Sequence, residues 1–309
     1  MLGTTTPALD ALLAPRPGVT PPAVAVVQPV SADSLTGIID AVDRGLVRAL
    51  LVGSRERIVA RLRELGRREG DFEIEHAEDD RAAACAAVEL VRGGRADILM
   101  KGHLHSDDFL RPAVGRARGL RGSGRMSHAF VCYLPESTYH KPLVVTDAAM
   151  NIAPDLDTKV DIAANAIELV RVLGTERPKM AVLAAVETVN AAMEATADAA
   201  ALQELARRGA FGAAIIEGPL AFDNAISREA AATKGIASQV AGDPDILCVP
   251  DIEAGNILYK SMVYLCGAIT PGVILGGSAP LLLTSRADPP LARTASCALA
   301  ARLVNRARR

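Results

Sequence analysis

Ala23-Val24-Ala25-Val26-Val27-Gln28-Pro29-Val30 is followed by the stretch Ala32 to Arg44 and then by Arg48-Ala49-Leu50-Leu51-Val52. An apolar run of small and β-branched residues without polar alternation predicts a strand covered on both faces. The segment after it has apolar residues at helical spacing and opens at Ser31 or Ser34, hydroxyls suited to an N-cap. Strand, helix and strand in so short a span predict a right-handed βαβ crossover and a parallel sheet.

The same rhythm extends outward from that unit. Ser54 opens a helix to about Arg68, Phe72 to His76 reads as a third strand, Asp79 to Arg92 as a helix, and Ala96 to Met100 as a fourth strand ending at Lys101-Gly102. Further on, Lys141 to Thr146 is an apolar strand that breaks at Asp147, and Pro154-Asp155 precedes a helix from about Thr158 to Leu173, stopped by Gly174. Strands are then expected at Met180 to Ala185, Gly212 to Glu217 and Ile246 to Pro250, with helices at Ala191 to Arg208 and from about Ala254. A last strand (Leu281 to Thr284) and helix (Pro290 to Arg308) are able to return to the first unit. The expected fold is therefore α/β, in two three-layer domains with mostly parallel sheets. Residues 1–140 with 274–309 form the first, residues 141–273 the second, and the chemistry is expected in the cleft between them.

Composition supports this class. Half of the 309 residues are hydrophobic, but only 3% are aromatic and Trp is absent, so the core must be built from Ala, Val, Leu and Ile. A net charge of -2 argues against nucleic acid or an acidic membrane surface as a partner. Five cysteines stand far apart (Cys85, Cys132, Cys248, Cys266, Cys297), without the close pairs of zinc or redox motifs, and are expected to be free thiols. Only Asp10 and Arg16 are charged before Pro17, and the basic start and long apolar core of a signal peptide are missing. Apolar runs are too short or interrupted to span a bilayer, so a cytoplasmic location is expected.

Five polar clusters fall at predicted strand ends, where ligands of parallel sheets gather. They are Lys101-Gly102, Thr146-Asp147 with Asn151, Glu217-Gly218 with Asp223 and Asn224, Asp251 with Asn256 and Lys260, and Ser285-Arg286 with Asp288. With Arg111, Arg125, Ser127 and His128 added, the expected ligand is anionic. An arginine beside a hydroxyl, as in Ser285-Arg286, can hold phosphate in a fork. A solvent-exposed Arg-Asp loop pair is the plainer reading of that segment. His103 and His105 form an H-x-H without a third ligand, so no metal is assigned. Asp155, Asp157 and Asp161 read as helix N-terminal charge. Gly276-Gly277-Ser278 lacks the spacing of a phosphate cradle and reads as a tight turn.

Taken in order, these segments resemble the phosphate acetyl/butyryl transferase family. The likeness rests on Met100-Lys101-Gly102, Arg125-Met126-Ser127-His128, the run from Thr146 to Asp155, the run from Gly218 to Ile226, Pro250 to Asn256, and Leu283 to Asp288. It implies a two-domain α/β protein of the isocitrate dehydrogenase-like type, with its active site in the interdomain cleft. The implied reaction is reversible transfer of an acetyl, butyryl or similar short acyl group between coenzyme A and inorganic phosphate, with no tightly bound cofactor and no metal. Homodimers or higher homo-oligomers are expected. The resemblance implies that Ser285 and Arg286 hold phosphate, with Ser127 and Lys101 near, that Ser127 serves the oxyanion, and that Asp288 is the general acid/base. The acetyltransferase pattern instead has its aspartate further past the Ser-Arg pair, where this chain has Leu291, Ala292 and Arg293. Arg111 is matched to a coenzyme A phosphate, and Gly102, His128, Thr146, Asp147, Asn151, Asp223 and Asn256 to substrate binding. Two other readings are a metal- and NAD(P)-dependent dehydrogenase of related fold and a non-catalytic acyl-CoA-binding relative.

Overall fold

The computed structural model describes residues 6–139, 141–283 and 288–308. The chain forms two compact units: one takes it up to Gly124 and again from Pro271, and the other is Arg125–Thr270. The second unit thus begins before Lys141, because Ser127–Cys132 is a strand of its sheet.

The first unit runs through α1 (Pro7–Leu13), β1 (Ala23–Val27), α2 (Ala32–Asp43), β2 (Arg48–Gly53), α3 (Arg55–Glu64), β3 (Glu73–His76), α4 (Asp80–Arg92), β4 (Ile98–Lys101) and α5 (Ser106–Ala113). Every residue of β1 is buried, as an inner strand requires. It pairs in parallel with β2 on one side and β4 on the other, Val27 standing opposite both Val52 and Lys101. Helix starts follow the side chains foreseen: Ser31 and Ser34 cap α2 reciprocally, Ser54 caps α3 and Asp79 caps α4. In α2, Leu35, Ile38 and Ile39 face inward at helical spacing.

The second unit contains β5 (Ser127–Cys132), β6 (Leu143–Thr146), α6 (Leu156–Val172), β7 (Lys179–Leu183), α7 (Glu194–Arg207), β8 (Ile215–Leu220), α8 (Phe222–Ile226), α9 (Arg228–Thr233), β9 (Ile246–Cys248) and α10 (Ile252–Cys266). Its strand order is β5-β6-β9-β7-β8, parallel except for the β5–β6 pair. On one face of this sheet Phe130, Val145, Ala181 and Leu247 pack with Tyr259 and Met262 of α10. The Phe130 and Tyr259 rings stack with centroids 3.7 Å apart. β8 continues through Gly218-Pro219 to Leu220, so Glu217 is mid-strand and does not stand at a strand end. At the other end of the sheet, Lys141 meets Asp245 at 2.7 Å and Lys179 meets Asp243 at 2.6 Å. Burial pushes the Asp243 carboxyl up, but hydrogen bonds and charge from the two lysines outweigh it and hold the group at about 2.

The chain then returns to the first unit with β10 (Gly272–Leu275), β11 (Leu281–Leu282) and α11 (Pro290–Ala307). That unit's order is β3-β2-β1-β4-β11-β10, with β11 parallel to β4 and antiparallel to β10. Gly276, at φ +78°, turns the chain out of β10, but the connection to β11 is wider than the expected tight turn, with Gly277 bridged to Arg121 and the Ser278 N–H donating to the Leu120 carbonyl at 2.8 Å. α11 lies on α2, where a Cβ at Gly37 would come within 2.6 Å of the Arg293 Cβ.

Candidate functional site

In the second unit, the polar residues collect where β5 begins and β6 ends. The antiparallel register sets Ala129 opposite Thr146, which brings Ser127, His128 and Asp147 to one edge. Asp147 is 2% exposed and accepts four hydrogen bonds. Its Oδ1 takes the N–H groups of Ala149 and Met150, each at 3.0 Å, and its Oδ2 takes the Asn151 N–H at 3.2 Å and Asn151 Nδ2 at 2.6 Å. The Asn151 amide also donates to the Met126 carbonyl at 2.9 Å, tying this loop to the chain before β5. Burial raises the carboxyl above the usual aspartate range, with these hydrogen bonds opposing it. Asp147 is therefore a loop organiser that carries a costly buried charge.

Neighbouring groups are committed in the same way. Thr146 Oγ1 donates to the His128 carbonyl at 2.9 Å and latches β6 to β5. Ser127 is fully buried, and its Oγ accepts Asn165 Nδ2 at 2.9 Å while its own proton is left to donate. Asn256 Nδ2 donates to the Ala148 carbonyl at 3.3 Å, and Asp251 caps α10 through Ala254 N–H at 2.8 Å. α10 comes so close that a Cβ at Gly255 would lie 2.9 Å from the Asp147 carbonyl oxygen. His128 is also fully enclosed, and neither ring nitrogen has a hydrogen-bond partner among the described residues. Burial depresses it to about 3, so the ring is neutral, 4.2 Å from that of Phe130. Asn224, just after β8, is the other enclosed side chain whose amide atoms both lack a partner among the described residues.

Asp223 does not join this group. It stands at the start of α8, beyond the edge strand β8, with Lys234 at 3.1 Å, and that lysine's hydrogen bond holds its carboxyl below the usual range. Lys260 is exposed on α10. Asp155 caps α6 through Thr158 N–H at 2.9 Å, and Asp161 accepts the Arg125 N–H at 2.8 Å, in keeping with structural roles for these acids.

In the first unit, Lys101 closes β4 and is 4% exposed. Gly102 follows because nothing larger fits: a Cβ there would meet the carbonyl oxygens of Val27 at 2.3 Å and Gln28 at 2.7 Å. Arg111 is exposed in the last turn of α5. Asp288 precedes α11, and its carbonyl faces Arg293 Nε at 3.5 Å. Burial lowers the Arg293 guanidinium, while the Asp288 charge opposes that shift. Arg293 thus places a buried cation in the region where the acetyltransferase pattern would have its aspartate. Ser285 and Arg286 lie outside the described residues. His103 and His105 are exposed, and among the described residues no three His, Cys, Asp or Glu side chains are grouped to hold a metal ion.

Two features escaped the sequence reading. Asn165, the partner of Ser127, sits on α6 with no motif to mark it. Gln28 directly follows β1 with φ at +49°, the one non-glycine residue in the left-handed region among those described. The Gln-Pro pair directly after an apolar strand was its signal.

The family model described as "Phosphate acetyl/butaryl transferase" matches residues 56–301. A phosphate acetyltransferase of Rhizobium meliloti is 46% identical over 94% of this chain and 92% of its own length. A phosphate butyryltransferase of Clostridium acetobutylicum is 40% identical over 90% of this chain and 91% of its own. A crystal structure of a branched-chain phosphotransacylase from Enterococcus faecalis V583 superposes with a TM-score of 0.79 at 32% identity, covering 91% of this chain and 98% of that one. The chain belongs to the phosphate acetyl/butyryl transferase family.

Proposed function

We propose that this protein is a phosphate acyltransferase that moves a short acyl group, acetyl, butyryl or similar, reversibly between coenzyme A and inorganic phosphate. The observation that carries this reading is the near full-length similarity to relatives named for both the acetyl and the butyryl reaction. The dehydrogenase and the non-catalytic readings have no comparable support.

A phosphate oxygen attacks the thioester carbonyl carbon, the C–S bond breaks, and the acyl phosphate and coenzyme A thiolate separate. Arg286 and Ser285 hold the phosphate, with Lys101 adding positive charge. Ser127 retains a hydroxyl proton for the carbonyl oxygen as it gains charge. Asp288 gives the departing thiolate its proton in one direction and takes it back in the other. Arg111, exposed on α5, meets a coenzyme A phosphate. Gly102, His128, Thr146, Asp147, Asn151 and Asn256 shape the substrate-binding edge. Thr146 and Asp147 act there through the backbone that they hold. Asp223 is kept as a further substrate-binding residue, now beside Lys234.

A homodimer fits the exposed face of α10, where Ile257, Tyr264 and Leu265 are 67%, 71% and 83% exposed at helical spacing. No helix among the described residues is long and apolar enough to cross a membrane, and a cytoplasmic enzyme without a resident cofactor is the matching proposal. Thiol release from acetyl-, propionyl- and butyryl-CoA, with and without phosphate, tests the function. Phosphate-dependent release that survives exhaustive chelation is expected. No such release with any acyl chain would falsify the reading.

A further inference from the structure

Gln28 occupies a costly position. Left-handed backbone is rare outside glycine and is strained for an ordinary side chain. Its surroundings enforce it: the Gln28 N–H donates to the Val52 carbonyl at 2.7 Å, and its carbonyl accepts from His103 at 2.8 Å and Val30 at 2.9 Å. Two glycines lie against it. A Cβ at Gly102 would strike its carbonyl, and one at Gly53 would come within 2.4 Å of its Oε1. The side chain is oriented as well, because Oε1 accepts the Ser54 backbone N–H at 3.3 Å. A backbone N–H can only donate, so the oxygen must face Ser54 and the Nε2 hydrogens must face away. No hydrogen bond engages those hydrogens among the described residues.

The place of Gln28 in the fold gives this orientation a meaning. In the order β3-β2-β1-β4, the chain builds outward from β1 in one direction and resumes on its other side. The segment after β1 leads to α2, which packs on α11, and the segment after β4 leads to α5, which packs on α4. Loops diverging in this way leave a crevice outside the carboxyl ends of the two strands, the usual ligand position in open parallel sheets. Gln28 directly follows one of these strands, and Lys101, opposite Val27, ends the other.

We propose that Gln28 is a phosphate-binding residue, whose Nε2–H group hydrogen-bonds a phosphate oxygen of a substrate in the crevice between β1 and β4. The inference rests on the acyltransferase reading above. The phosphate is either the inorganic acceptor or a phosphate of coenzyme A, and kinetics separate the two. Gln28→Gly removes the amide while accepting the left-handed backbone without strain, and its melting temperature is expected within about 4 °C of wild type. Gln28→Glu replaces the donor with a repelling carboxylate. For the full-length protein, KM for one phosphate-bearing substrate should rise about tenfold or more in Gln28→Gly and further in Gln28→Glu, the effect of one charge-assisted hydrogen bond. A rise in KM for inorganic phosphate alone assigns the acceptor, and a rise for acyl-CoA alone assigns the cofactor phosphate. Both KM values within twofold of wild type in both variants would overturn the proposal, as would a fall in melting temperature and kcat with KM unchanged. If wild type shows no turnover, the acyltransferase reading fails separately. Calorimetric binding of phosphate and of coenzyme A to the same three proteins then decides the role of Gln28, with retained binding in Gln28→Gly counting against it.

Discussion

The two units end their strands in polar residues by different means. In the first, placement is a matter of backbone: Gly53 and Gly102 make room, Gln28 adopts a positive φ, and main-chain bonds join the end of β1 and Gln28 to Val52 of β2 and to the segment after β4. In the second, placement depends on buried side chains, with Asp147 gathering four hydrogen bonds, Asn165 holding Ser127, and His128 enclosed without a partner among the described residues. An edge built from backbone fails when atoms are added. An edge built from buried polar groups responds to charge and pH.

The comparison can be tested in descending order of effect. Arg286→Ala, in the returning segment of the first unit, should lower turnover about 100-fold or more and raise the phosphate requirement, as loss of a transition-state charge partner does. Unchanged steady-state kinetics would remove this residue from the site. Gly102→Ala should destabilise by about 1–3 kcal/mol, because the added methyl meets carbonyl oxygens that belong to the sheet and cannot swing aside. A denaturation midpoint equal to wild type would show that the β1–β4 edge yields more easily than its contacts imply.

The pH response belongs to the second unit. The folded His128 ring takes a proton only near 3, whereas the unfolded one does so near 6.5, so the unfolded chain gains the proton first as acid is added. Stability from this group is full above pH 6.5 and falls by about 1.4 kcal/mol per pH unit toward pH 3. Asp147 opposes it: its raised carboxyl favours the folded state as pH falls toward 3.8. His128→Phe should therefore flatten the acid limb of a melting-temperature profile, and a limb as steep as wild type would place the titration elsewhere. Asn165→Ala should cost only about 1–2 kcal/mol and change kcat a few-fold, since its neutral hydrogen bonds to Ser127 Oγ and to the Arg125 carbonyl are lost. A loss as large as that of Arg286→Ala would mean that Asn165 does more than steady the hydroxyl.

The inner strands β1, β2 and β4 were legible because burial on both faces leaves an unbroken apolar run. β5 was not, since Ser127-His128 puts two polar residues at its start and its pairing with β6 is antiparallel. α1 escaped notice although Thr6 and Pro7 form an ordinary helix start. Motif spacing marked Thr146, Asp147 and Asn151 as one cluster, and of these Asp147 and Asn151 are hydrogen-bonded to each other. What it could not convey is direction: Thr146 turns to the His128 carbonyl and Asp147 to its own loop. Gln28 was harder still, because a backbone angle and two neighbouring glycines exist only once the strands are assembled.

The return of β11 to the side of β4 bears on biosynthesis. Leu99 pairs with Leu281 and Met100 with Leu282, so β4 emerges from the ribosome long before its neighbour is made. During that interval the whole of Arg125–Thr270 is translated, at about 5–20 residues per second, and β4 waits as an open strand edge with Ile98, Leu99 and Met100 unpaired on that side. Early folding of the inserted segment would draw the two distant partners together and shorten the chain loop that their pairing must close. Nascent chains stalled before Leu281 should then need chaperone protection that chains released after it do not.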